Sequence, residues 1–129
     1  MAKVERFEDL IAWQKARELN RAIYNVSNSG LLAKDFGLRD QMRRASVSVM
    51  ANIAEGFERG KRTEFHQFLS TAKASCGEVR SHLYAALDAG HILESTFSSI
   101  REACEEVSRV LGALRAAVQK QRDSGKDAR

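Results

Sequence analysis

The sequence predicts an all-α fold, an up-down-up-down four-helix bundle, and three observations carry that expectation. Proline is absent from all 129 residues, so no helix is interrupted by a missing amide donor. Apolar residues recur at intervals of three and four along four separate stretches, and nowhere with the period of two that a strand requires. The links between those stretches are short, which makes consecutive helices antiparallel neighbours.

In the first stretch Asp9 is placed to cap a helix over 10–27. Ala12, Ala16, Leu19, Ile23 and Val26 form its stripe, with Trp13 and Tyr24 at the border. Asn28-Ser29-Gly30 stops it with residues that tolerate a left-handed backbone. The connection over 31–37 is expected to tuck Leu32 and Phe36 against the bundle ends. A second helix follows over 38–57, and Gly56 and Gly60 bracket the break after it. Thr63 is expected to cap the third helix, with Glu64 near its positive end. Its stripe of Phe65, Phe68 with Leu69, Ala72, Cys76, Val79, Leu83, Ala86 and Gly90 would run roughly 40 Å. Ser95 or Thr96 caps the fourth helix, where Phe97, Ile100, Cys104, Val107, Leu111, Leu114 and Val118 alternate strictly by three and four. Residues 1–122 form the bundle in this reading, and 123–129 a frayed basic tail.

The stretch from Gln41 to Gly56 organises the chain. Between Ala45 and Ala54 it carries no charge and only three small polar residues, Ser46, Ser48 and Asn52. One stripe, Met42, Ala45, Val49 and Asn52, faces the core of its own chain. A second, Val47, Met50 (or Ala51) and Ala54, lies on the other side of the same helix. A helix apolar all round is buried all round, so the second stripe asks for another subunit. A homo-oligomer follows from it.

Composition narrows the function classes. Hydrophobic content of 43% contains no run long enough to cross a bilayer, which excludes a membrane span. The opening residues mix charge and apolar groups without a signal core, so the expected location is cytoplasmic. A net charge of +4 and a pI near 9.3 admit an anionic partner without demanding one. Cys76 and Cys104 lack metal-ligand spacing and read as free, buried thiols.

Catalytic chemistry finds little support. A di-metal bundle site needs two Glu-x-x-His pairs, and the nearest match, Glu78 with His82, has the wrong step and no second copy. The three histidines, His66, His82 and His91, have no serine or cysteine partner at a telling position. The expectation is a protein that is not an enzyme, with no metal and no cofactor. Trp13, Gln41, Asn52, Glu55 and Ser75 are expected to form a buried polar network that fixes helix register. A small-ligand site around Asn52 and Glu55 is the alternative. Arg39, Arg43, Arg59, Lys61 and Arg62 cluster in a basic region that suits phosphate contact with RNA or DNA. Apart from Phe57, that region has no aromatic platform for bases. A protein-binding scaffold that touches no nucleic acid is the rival reading.

Three segments carry a resemblance: Phe7-x-Asp9-Leu10-x-x-Trp13-Gln14-Lys15-Ala16-x-x-Leu19, then Leu38-x-x-Gln41-x-Arg43-Arg44-Ala45-x-x-Ser48-Val49-x-x-Asn52-Ile53-Ala54-Glu55-Gly56, then Glu64-Phe65-x-x-Phe68-Leu69-x-x-Ala72-x-x-Ser75. The chain resembles the small helical proteins encoded in intervening sequences of bacterial large-subunit ribosomal RNA. Met50 stands where many members have proline. The resemblance implies an all-α bundle that assembles as a ring, typically a homopentamer, without an established activity. The accessory proteins of diversity-generating retroelements are distantly similar, and they assemble alike and associate with nucleic acid and reverse transcriptase. That likeness implies RNA or DNA as a partner here.

Overall fold

A computed structural model describes residues 4–125. Among them are five α-helices and one 3-10 turn, with no strand. The turn is Phe7–Asp9, and the helices are α1 (Ile11–Val26), α2 (Gly30–Lys34), α3 (Phe36–Glu58), α4 (Arg62–Asp88) and α5 (Glu94–Asp123). The four long helices pack in a cycle, with α1 and α4 each lying against both α3 and α5. Residues 126–129 of the expected tail lie outside the described residues, and α5 itself continues through Asp123.

The stripes become the core. Ala12, Ala16, Leu19 and Ile23 of α1 are buried, as are Phe65, Leu69, Ala72, Cys76, Val79, Leu83 and Ala86 of α4. From α5 come Phe97, Ile100, Cys104, Val107, Leu111 and Val118. Two details differ from expectation. Ile53 takes the inward place on α3, and Asn52 turns to its margin, half-buried. Phe36 is 63% exposed, because it opens α3 and stacks under the Arg39 guanidinium at 4.8 Å. Leu32 does reach the core and is fully buried.

The helix starts do not follow capping preference, and at α1 burial decides the start. Asp9 falls inside the 3-10 turn, where its carboxylate accepts from the Glu5 amide at 3.4 Å, and buried Leu10 takes the cap position of α1. Lys61 and Leu93, both extended, precede α4 and α5, so Thr63, Ser95 and Thr96 lie within the first turns. At α1 a capping side chain would contribute about 1 kcal/mol, no more than Leu10 gains by leaving water; exposed Leu93 and Lys61 have no such account. Asp35 is the one side-chain cap among the long helices, accepting from the Leu38 amide at 3.2 Å.

Small residues set the spacing of α3 and α4. A Cβ at Gly56 would lie 2.5 Å from Phe68 Cβ and 3.1 Å from a Phe65 ring carbon. Gly77, midway along α4, has nothing within 4 Å of the same position. Alanine is the better helix former by about 1 kcal/mol at either site. Overpacking costs about 1–3 kcal/mol and wins only where a clash exists. Gly56→Ala should therefore lower the denaturation midpoint and Gly77→Ala should raise it. Equal shifts of the two midpoints would contradict the close approach at Gly56.

One end of the structure is joined by His91 Nε2 and Asp35 Oδ2, 3.1 Å apart. The Leu38 amide bond, and then His91, hold the Asp35 carboxyl below its ordinary value of 3.8. A group depressed in the folded state stabilises the fold above its unfolded pKa and loses that contribution as the pH falls toward the folded one. Asp35→Asn keeps a capping side chain but removes the titration. It should flatten the loss of stability between about pH 5 and pH 3. An acid limb as steep as that of the unmodified chain would refute the assignment.

Candidate functional site

Val47, Met50, Ala51 and Ala54 of α3 meet Phe7 and Trp13 to make an apolar groove of about 260 Å³. Val47 remains 41% exposed there, although it stands in the most apolar stretch of the sequence. Trp13 is fixed at the groove edge by Phe7, with ring centroids 5.2 Å apart at 63°, and by Arg17 over its ring at 5.7 Å. The second stripe of α3 is thus only partly covered by its own chain, with Val47 exposed and Met50 and Ala54 half-buried. Phe7 extends it, a part the helical periodicity alone did not disclose.

Of the polar residues expected to form one network, only Asn52 and Ser75 are joined, through Ser48. Asn52 Nδ2 donates to Ser48 O at 2.8 Å and to Ser48 Oγ at 2.9 Å, and the Ser48 and Ser75 hydroxyls lie 2.9 Å apart. This chain of bonds ties α3 to α4. Ser48 is its bridge, and the signal was present in its position one helical turn before Asn52. Glu55 is exposed and pairs with Arg59 at 3.1 Å, Gln41 is exposed, and Trp13 belongs to the apolar groove. Asn52 and Glu55 therefore do not converge on a common cavity.

Most of the basic cluster is engaged within the chain. Arg39 Nε pairs with Asp40 at 2.9 Å, and its Nη1 donates to Ala33 O. Arg43 donates to Ser27 Oγ at 2.8 Å and to Ser27 O at 3.2 Å, which holds the end of α1, and stacks over Tyr24 at 4.6 Å. Arg59 pairs with Glu55 and Glu64 and lies 5.1 Å over Phe68. Arg62 Nε donates to Gln121 Oε1 at 2.8 Å, linking α4 to α5. Lys61 stands exposed before α4.

The metal and thiol candidates of the sequence can be placed in the structure. Among them, no three His, Cys, Asp or Glu side chains gather at metal-binding distance. His82 is lowered by burial, and its Nδ1 finds no partner. Cys76 and Cys104 are both 1% exposed, and Cys76 Sγ donates to Cys104 O at 3.2 Å. The bond from Cys104 lowers the Cys76 thiol, while the same contact and burial raise Cys104. Two thiols so enclosed should react slowly with a disulfide reagent in the native protein and at the free-thiol rate in denaturant. Rapid native labelling of both would contradict their packing.

A family model described as the 23S rRNA-intervening sequence protein matches residues 8–113. A similar solved structure is a protein with unknown function from the S23 ribosomal protein family of Bacteroides thetaiotaomicron. The two share 22% identity over 82% of this chain and 96% of that one, with a TM-score of 0.76. At that identity the likeness concerns the fold alone. No curated protein matches the sequence. Among the described residues, no helix is long and apolar enough to cross a membrane.

Proposed function

The chain belongs to the 23S rRNA-intervening sequence protein family, and from that membership we propose a non-enzymatic assembly protein of the cytoplasm. Its four long helices form an up-down-up-down bundle, bundles join through α3 into a homo-oligomeric ring, a pentamer, and the ring associates with RNA or DNA. The observation that carries the reading is the uncovered apolar groove of Trp13, Val47, Met50 and Ala54. A second copy of the chain is the occupant that every cell making this protein supplies. Phosphate contacts then repeat with the subunits, and multivalency multiplies weak affinities by roughly 10²–10⁴.

One observation favours a second reading, a protein-binding scaffold without nucleic acid. Arg39, Arg43 and Arg59 are already bonded to their own chain, Arg59 while still exposed, and Lys61 stands exposed beside it. Salt-dependent binding to RNA separates the two.

Light scattering at micromolar concentration should report a mass several times the 14.4 kDa chain. Val47→Glu with Met50→Glu should dissociate it without loss of helicity, since an unpaired charge in a packed interface is costly. A monomeric unmodified protein would overturn the ring. Affinity for structured RNA should fall steeply between about 50 and 200 mM salt as counterions are released. Replacing Arg59, Lys61 and Arg62 by Glu should abolish it. If the assembled protein binds no nucleic acid at low salt, the scaffold reading stands.

A further inference from the structure

Away from the basic cluster, the packing of α4 on α5 builds a combination that no short window of sequence contains. Lys73, Arg80 and Tyr84 follow one another along α4 at steps of seven and four, with Gly77 between the first two. Arg101, Glu105 and Ser108 follow one another along α5 at steps of four and three. The two rows meet across the crevice between the helices. Arg80, Tyr84, Arg101 and Glu105 line a concavity of about 390 Å³. Lys73, Gly77, Arg80 and Ser108 line a narrower one of about 80 Å³, whose floor is the cysteine pair. Arg80 belongs to both, so they form one groove running roughly 16 Å along α4.

Two features of this groove point to a ligand with both a flat ring and an anion. Tyr84 is 46% exposed, and an edge contact with buried Phe97, 4.8 Å between centroids at 67°, fixes its orientation. An aromatic ring held on one side and wet on the other is a stacking platform. Arg101 lies 5.7 Å over Phe97, and its Nε is shut off from solvent without a hydrogen-bond partner. Glu105 Oε1 is 3.3 Å away, near enough to pair by charge but outside hydrogen-bond geometry. The Arg101 side chain as a whole is 38% exposed, so the open part of its guanidinium can take a phosphate oxygen that enters the groove.

We infer that the α4–α5 groove binds single-stranded nucleic acid, with one base stacked on Tyr84 and the adjoining phosphates held by Arg80 and Arg101. Lys73 continues the phosphate track along α4. The inference rests on the nucleic-acid reading above and extends the contact from the turn before α4 along that helix, into its crevice with α5. A duplex keeps its bases stacked inside, so the groove selects single strands. Glu105 lies beside the track and opposes it, which tempers affinity.

The test is fluorescence anisotropy with a labelled oligouridylate and a duplex of equal length at low salt, using the intact assembled protein. Tyr84→Ala should weaken oligouridylate binding roughly 5- to 150-fold, the range expected when a base–aromatic stack is removed. Tyr84→Phe should restore it, because the ring is kept. Arg80→Gln with Arg101→Gln should reduce the salt slope by about 0.7 for each phosphate no longer neutralised, and Glu105→Gln should tighten binding. Circular dichroism and light scattering identify any variant that has lost its fold or assembly. Photocrosslinking of a 5-iodouridine oligomer, followed by peptide mass mapping, should then identify Tyr84 in the unmodified chain. Oligouridylate binding that is indifferent to Tyr84 and crosslinks elsewhere would overturn the groove and leave the nucleic-acid reading intact. Absence of binding to every probe would overturn both.

Discussion

Where α3 crosses α4, the backbones approach so closely that a methyl group on Gly56 would strike Phe68 Cβ, and the Ser48 and Ser75 hydroxyls meet at 2.9 Å. Small residues on α3 permit that distance, with Gly56 set against Phe65 and Phe68 and Ser48 against Ser75. The contact commits one face of α3 to its own chain. It thereby turns Val47, Met50 and Ala54 outward, into the groove closed on its far side by Phe7 and Trp13. Close packing inside and an apolar surface outside are two consequences of the same helix orientation.

The charge distribution follows a related logic. Arg43 holds the last turn of α1, and Arg59 bridges the end of α3 to the start of α4 through Glu55 and Glu64. Arg39, Arg43 and Arg59 each stack on an aromatic ring, which further immobilises them. A formal charge of +4 therefore overstates the cations open to a partner at the break before α4. On the α4–α5 flank the arginines are arranged differently. Arg80 and Tyr84 are exposed there, although Arg101 pairs with Glu105 and lies over Phe97.

The core was legible in the sequence wherever periodicity acts over many turns. The alternation by three and four from Phe97 to Val118 survives in the buried face of α5, with Leu114 at its margin, because a long helix averages out local preferences. Single positions were less legible. Ile53 displaced Asn52 from the inward stripe because, between adjacent residues competing for one place, the larger apolar side chain gains more by burial. Asp9 lost the cap of α1 for a similar reason, since Leu10 is worth more inside than Asp9 is as a cap. The α4–α5 groove was invisible because Tyr84 and Arg101 come from different helices, and only packing makes them neighbours. The family, by contrast, was legible from motif residues that the fold uses directly, among them Trp13, Ser48, Asn52 and Gly56.

The central claim is that a second copy of this chain covers the outer stripe of α3, and the protein carries its own reporter for it. Trp13 is the sole tryptophan and lines that groove. Acrylamide quenching of its fluorescence, followed across a dilution series, measures the covering directly. The account predicts an indole shielded at high protein concentration that becomes accessible, with a red-shifted emission, as the assembly dissociates. Quenching equal to that of a half-exposed indole at every concentration, with unchanging emission, would contradict it.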